Sequence, residues 1–176
     1  LLQAAGYHFE FVGSKSTSHD GVTLAYEAYS GYSAVTIKDQ FVAHFPSHIA
    51  DIVQIHAGHN YDATQYTPEV IISHIDGATR EMIATARANN PDVIILLAQV
   101  ITSSKLPKYS YIPALNEDLA ALATELNSDE SPIILVNQAD GWDPVADTSS
   151  DMVHPTAAGA LKMANKWFEA LSPLLE

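Results

Sequence analysis

Two stretches of this chain are apolar at every position for nearly the length of a strand: Val93-Ile94-Ile95-Leu96-Leu97-Ala98 and Ile133-Ile134-Leu135-Val136. A strand with one wetted face alternates apolar and polar side chains, so runs without alternation describe strands covered on both faces. Such strands need helices above and below, and the rest of the chain has them. From Thr67 to Asn89, apolar or small positions fall at Val70, Ile71, Ile75, Ala78, Met82 and Ile83, near the helical period. Thr67-Pro68-Glu69 supplies a cap, a first-turn proline and a first-turn acid. Pro113 to Leu126 and Pro155 to Leu171 read the same way, and a shorter helix is predicted from Ser33 to Phe45. Two further strands are predicted, His8 to Val12 and Asp51 to His56, ahead of the two runs, which are read as strands at Val93 to Ala98 and Ile133 to Asn137. Strands alternating with helices imply an α/β fold, a three-layer, doubly wound parallel sheet of the flavodoxin-like type. Ligands of such sheets bind beyond the carboxyl ends of the strands. The chemistry is therefore expected in the loops 13–32, 57–66, 99–112 and 138–154.

With 176 residues and no repeat or low-complexity linker, the chain reads as a single domain, 1–176. Eight Lys and Arg stand against 21 Asp and Glu, a formal charge of −13 that repels phosphate backbones and anionic bilayers. Neither nucleic acid nor membrane is an expected partner. The absence of cysteine removes thiolate nucleophiles, disulfides and Cys-ligated zinc, and it is compatible with secretion without locating the protein. No apolar run approaches the ~18 residues that span a bilayer. The opening Leu1-Leu2-Gln3-Ala4-Ala5-Gly6 reads as the tail of a helix ending in a glycine cap, with more chain expected before it.

Three local patterns bear on catalysis. Asp151-Met152-Val153-His154-Pro155 places a carboxylate and an imidazole three residues apart before the last helix. A carboxylate holding a histidine in one tautomer leaves its other nitrogen free to take a proton from a hydroxyl. Gly58-His59-Asn60 follows a strand and can aim a side-chain amide into the cleft, where its N–H meets a developing oxyanion. Tyr29-Ser30-Gly31-Tyr32-Ser33 precedes the short helix, and the Gly31 N–H is a second donor of that kind. Taken singly, a helix cap or an ordinary turn accounts for each fragment equally well.

Taken in order, Ser-Gly, Gly-x-Asn and Asp-x-x-His-Pro resemble three of the four sequence blocks of the SGNH (GDSL-type) hydrolases. Phe9-Glu10-Phe11-Val12-Gly13-Ser14 and Glu27-Ala28-Tyr29-Ser30-Gly31-Tyr32 look closest to its carbohydrate esterase branch, which includes acetylxylan esterases. The resemblance implies a serine-type esterase acting on acetyl or short acyl esters of a small molecule or carbohydrate, without a cofactor. It makes His154 the general base, Asp151 its orienting acid, and Gly31 and Asn60 the oxyanion donors. Tyr29, Tyr32, His59, Tyr61 and Trp142 become candidates for the substrate cleft.

The chain departs from the pattern twice. Tyr61 stands where the family usually has Asp after Gly-x-Asn. The first block, Gly-Asp-Ser at the end of the first strand, is absent, and with it the nucleophile, which the resemblance places upstream of Leu1. In the family's strand order, 2-1-3-4-5, that strand is interior, so its neighbours are expected either to close up or to receive a segment from elsewhere. A complementing N-terminal segment and a homo-oligomer are both open. Ser30 and Ser33 are weak substitutes, and Ser14 a weaker one, because none sits on a strand-turn-helix elbow. The alternative reading is a non-catalytic relative that binds carbohydrate or protein through the same cleft.

His56, His59, Asp62 and His154 have the chemistry of metal ligands but not the spacing of a known zinc motif, and no metal is expected. His8, His19, His44, His48 and His74 read as surface or edge residues. Tyr66, Tyr109 and Tyr111 join the cleft aromatics in the loops, where faces with polar tips suit sugar rings.

Overall fold

A computed structural model describes residues 1–19 and 21–175. After a single 3-10 turn at Gln3–Ala5, β1 (Lys15–His19) and β2 (Val22–Tyr26) pair antiparallel from Lys15↔Tyr26 to His19↔Val22. Then come α1 (Ala34–His44), β3 (Ile52–Ile55), α2 (Pro68–Asn89), β4 (Ile94–Ala98), α3 (Ile112–Leu126), β5 (Ile133–Val136) and α4 (Ala157–Leu171). The three later strands form a parallel sheet in the order β3-β4-β5, with Val53 opposite Ile95 and Ile95 opposite Ile133.

The apolar runs fall where both faces are covered. Val53, Ile55, Ile95, Leu97 and Ile133 point into a core shared with α1, α2 and α3. Leu96, Ala98 and Val136, with Ile52, Ile94 and Ile134, point to the opposite face, which α4 covers with Trp167 and Leu171. The α/β reading with helices on both faces therefore holds, three helices on one side and one on the other.

Helix starts follow the expected chemistry. Ser33 Oγ accepts from Thr36 N at the head of α1, and Thr156 Oγ1 accepts from Gly159 N at the head of α4. Proline opens the first turn of α2 and α3, where a missing N–H costs no hydrogen bond.

Two expectations are corrected. Residues 8–12 are not a strand: no backbone hydrogen bond joins them to a neighbour among the described residues, and extended chain becomes a strand only when another backbone takes its N–H and C=O groups. They lie instead along a cavity of about 1350 Å³ whose other wall is β3. The loop expected at 13–32 contains the β1–β2 hairpin. Its signal, Asp20-Gly21 between β-compatible stretches, is a strong one for a two-residue turn.

The hairpin is fastened to α1 by charge. Ser14 N donates to Glu27 Oε2 at 2.8 Å, the Tyr29 phenol donates to Glu27 Oε1, and His44 Nδ1 lies 2.9 Å from that oxygen. His44 is therefore a structural partner rather than a bare surface residue. Burial pushes the Glu27 carboxyl up, but the bonds from Tyr29, Ser14 and His44 outweigh it and hold the group at about 2.

The core contains one polar clasp that the sheet depends on. Asn116, buried in α3, accepts from Val100 N at 2.7 Å and donates to Val100 O at 2.8 Å, just beyond the end of β4. Replacing Asn116 by Leu orphans both backbone groups of buried Val100. Since each buried unsatisfied group costs ~1–3 kcal/mol, Asn116→Leu is expected to lower stability by about 2–4 kcal/mol in urea unfolding; a loss below ~0.5 kcal/mol would contradict this account.

Candidate active site

The loop between β5 and α4 is built around two aspartates. Asp147, with a side chain only 5% exposed, accepts from Asp143 N at 2.8 Å and from Lys162 Nζ at 2.7 Å. Those bonds, first Asp143 N and then Lys162, hold its carboxyl below the usual range. Its own carbonyl takes Thr156 N at 2.8 Å, which closes the loop onto the head of α4. Inside that closure Thr148 bridges Pro155, and Ser149 N donates to His154 O at 2.8 Å. The chain turns back through Met152 at a φ of +63°, and Ser103 Oγ donates to Met152 O at 2.5 Å.

Asp151 sits within this turn and accepts from four donors. Oδ1 takes Ser149 Oγ at 2.8 Å and the backbone N–H groups of Val153 and His154, each at 2.9 Å. Oδ2 lies 2.5 Å from His154 Nδ1. The His154 ring bond and then the backbone bonds pull the Asp151 carboxyl far below the usual range, so it stays ionised. An ionised carboxylate only accepts, so Nδ1 carries the proton and Nε2 is left as a base. The His154 side chain is 80% exposed, which leaves Nε2 open to solvent.

The opposite half of the site hangs on the end of β3. Gly58 has a φ of +136°, and a Cβ there would stand 3.0 Å from Leu115 Cδ2 and 3.2 Å from Val100 Cγ2, so only glycine fits. The Tyr111 hydroxyl, fully buried, donates to Gly58 O at 2.7 Å and reaches His59 O at 3.2 Å, which pins the loop. Asn60 then extends its amide to Tyr32 O at 2.9 Å. Gly31, at a φ of +79°, makes the turn just before that carbonyl. The bond therefore brings the Gly31 and Asn60 segments together, and the second Nδ2 proton of Asn60 has no acceptor among the described residues.

His59 lies between the two halves. Burial lowers it to about 4, with the charges of His56 and His154 adding to the effect. His56 is likewise lowered to about 4 by burial, and the Nε2 atoms of both are buried without a partner.

The remaining sequence assignments divide. Tyr29 and Tyr32 stack at 5.3 Å between centroids and line the cavity, as does His59. Trp142 does not: it is buried, and its Nε1 donates to Thr102 O at 2.9 Å beneath α4. Tyr61 packs against the core with its ring 6.4 Å from Tyr111, and Tyr109 and Tyr111 are buried too. These four are packing residues, because the loops that carry them fold inward onto the sheet. Ser33 is occupied as the cap of α1, and Ser30 makes no bond to His154. Asp62 is used in its own turn, accepting from Thr64 N and Oγ1 at 2.9 and 2.6 Å.

Sequence reasoning missed Asp147, Lys162, Ser103 and Ser149. Asp147-Thr148 before Asp151 was the one available hint. The Ser103 bond to Met152, across 49 residues, had no local signal.

An Asp–His pair and an Asn side-chain amide stand on loops at the carboxyl ends of a parallel α/β sheet. The chain belongs to the GDSL-like lipase/acylhydrolase family, whose model matches residues 10–161. Among solved structures it is similar to a serine-to-alanine mutant of an acetyl esterase with an acetate ion, at 23% identity and a TM-score of 0.86, covering 99% of this chain and 86% of that one. A carbohydrate esterase family 3 protein from Talaromyces cellulolyticus matches at 24% identity and a TM-score of 0.86 over 99% and 86% of the two chains. A Clostridium thermocellum family 3 carbohydrate esterase matches at 19% and 0.76 over 99% and 82%. No curated protein matches by sequence.

The buried histidines give a pH prediction. His56 titrates at about 4 in the fold against 6.5 unperturbed, so below 6.5 the unfolded chain binds the proton more tightly. Stability should be full above pH 6.5 and fall as pH drops toward 4, by up to roughly 3 kcal/mol for this group. In urea unfolding at pH 7.5 and pH 4.5, His56→Leu should flatten that dependence. An unchanged slope would show that His56 is not held neutral by burial.

Proposed function

We propose that this domain is the acid–base and oxyanion part of a serine esterase that removes acetyl or other short acyl groups, with acetylated carbohydrate as the preferred substrate. The observation that carries the reading is the 2.5 Å contact of Asp151 Oδ2 with His154 Nδ1, which leaves an accessible Nε2. A serine hydroxyl presented to that nitrogen attacks the acyl carbonyl while its proton passes to Nε2. Gly31 N–H and the free Asn60 amide proton hold the oxyanion. Collapse breaks the ester C–O bond, and His154 returns the proton to the leaving alcohol. Water then attacks the acyl-serine, with His154 again taking the proton, and the acid is released. The stacked pair Tyr29 and Tyr32, the latter 42% exposed, offers a face for a sugar ring. The acetyl and carbohydrate esterases among the structural neighbours support the same substrate class.

One observation favours a second reading. Among the described residues no serine or threonine hydroxyl bonds the His154 ring; Ser149 Oγ is given to Asp151 and Ser103 Oγ to Met152 O. A chain restricted to these residues binds an ester or a sugar without turning it over efficiently.

The test is hydrolysis of p-nitrophenyl acetate and acetylated xylan by residues 1–176 alone and by the same residues with a serine-bearing segment fused ahead of Leu1. Activity is expected in the fused form. There His154→Ala should cut kcat by at least roughly 10³-fold and Asn60→Ala by roughly 10²-fold with KM little changed. Activity in neither form, or activity indifferent to His154, would remove the esterase reading.

A further inference from the structure

The turn Tyr29-Ser30-Gly31-Tyr32 folds two aromatic rings onto each other. Tyr32 N donates to Tyr29 O at 3.4 Å, and Gly31 takes a φ of +79°, the positive value that a type II turn requires at its third residue. The two end rings meet, stacked 5.3 Å apart at 21°. Lys15, on β1, holds its ammonium 3.6 Å from the centre of the Tyr29 ring and donates to Ala28 O at 3.0 Å. At those separations the ammonium and the Tyr32 ring would collide on one face, so they occupy opposite faces. Tyr29 is therefore sandwiched and offers a ligand neither side.

The sandwich is also fixed at its rim. The Tyr29 hydroxyl donates to Glu27 Oε1, which takes Ser14 Oγ at 3.0 Å as well, and His44 Nδ1 lies 3.1 Å from the same hydroxyl. Tyr29 is thus tied to the hairpin and to α1 at once, and its ring cannot turn without breaking those bonds. Tyr32 is held differently. Its carbonyl accepts from Asn60 Nδ2 at 2.9 Å, one face of its ring rests on Tyr29, and the residue remains 42% exposed. The result is one rigid, outward aromatic ring whose backbone is bonded to the Asn60 amide.

We infer that Tyr32 is the specificity-determining residue for sugar: the outer face of its ring takes the C–H face of a pyranose, and Tyr29, Lys15 and Glu27 are positioning residues that hold it there. This rests on the carbohydrate part of the reading above and not on its ester chemistry. A pyranose ring carries a flat patch of C–H bonds that packs on an aromatic face while its hydroxyls stay in water. A ring already locked by its neighbours has little rotamer freedom left to lose on binding, so more of the contact appears as affinity. An open-chain polyol with similar hydroxyls has no such patch and gains nothing from the ring. Because Asn60 bonds the carbonyl of the same residue, a sugar seated on Tyr32 is registered against that amide.

The probe is xylotriose, titrated into the chain labelled at tyrosine, with the Tyr29 and Tyr32 ring resonances followed by NMR. Saturable shifts are expected at both rings, and xylitol should give none. Tyr32→Ala should weaken xylotriose binding by roughly three- to tenfold, the range of one aromatic contact, and Tyr32→Phe, which keeps the ring face, should bind within about twofold of the parent. Lys15→Met should weaken binding about threefold on its own, as loss of one exposed cation–ring contact does. In the Tyr32→Ala background it should change nothing, since Lys15 acts only through that ring. No saturable shift with xylotriose, equal shifts with xylitol, Tyr32→Phe as weak as Tyr32→Ala, or a Lys15→Met loss that adds to that of Tyr32→Ala would overturn the proposal. The two readings fail separately. Loss of the sugar site leaves His154-dependent hydrolysis of p-nitrophenyl acetate standing, whereas xylotriose binding at Tyr32 without hydrolysis keeps the sugar site and removes the esterase.

Discussion

Everything in this fold is measured from β4. It alone among the three parallel strands is bonded along both edges, to β3 and to β5, and its residues Ile95, Leu96, Leu97 and Ala98 are buried on both faces. A strand in that position has no solvent-facing side on which a polar residue is tolerated, so its sequence is unbroken hydrocarbon. It also has no freedom to slide, because a one-residue slip would exchange the side chains meant for α2 with those meant for α4. The Asn116 clasp on Val100 extends this rigidity one turn past the strand, to the level where the loops begin.

From that level the two halves of the site are held by different parts of the molecule. The Asp151–His154 turn is tied to the β4 side by Ser103, and to α4 by the Asp147–Thr156 and Asp147–Lys162 bonds. The Asn60 and Gly31 half depends on Tyr111 from the start of α3 and on the entry to α1. The Asp151–His154 half therefore rests on the well-packed side of the sheet, and the Asn60–Gly31 half on the side of β3, which pairs only with β4. Any process that loosens β3 should disturb Asn60 before it disturbs His154.

How much of this could be read beforehand follows from which interactions are local. Strand cores, helix caps and the Asp-x-x-His spacing are written within a few residues of one another, and the three parallel strands and four helices were placed within about two residues, as expected for strongly patterned segments. The strand expected at 8–12 failed because β structure is a property of pairs: Phe9 and Phe11 have the right composition but no neighbouring backbone. Trp142 and Tyr61 were placed in the cleft because their loops are. Whether an aromatic ring on a loop points in or out is decided by distant partners, such as the Thr102 carbonyl for Trp142. The Ser103 bond to Met152 is of the same kind, 49 residues away in sequence and invisible until the chain is folded.

The Asp151–His154 pair is the part of the site that asks least of its surroundings. Its donors to Asp151 come from residues 149, 153 and 154, so the carboxylate is organised by its own turn and needs only Ser103 and Asp147 to orient that turn on the sheet. The Asn60 amide has no such independence, since it reaches across 28 residues to Tyr32. A base that is fixed locally can persist in the right tautomer whether or not a hydroxyl stands beside it.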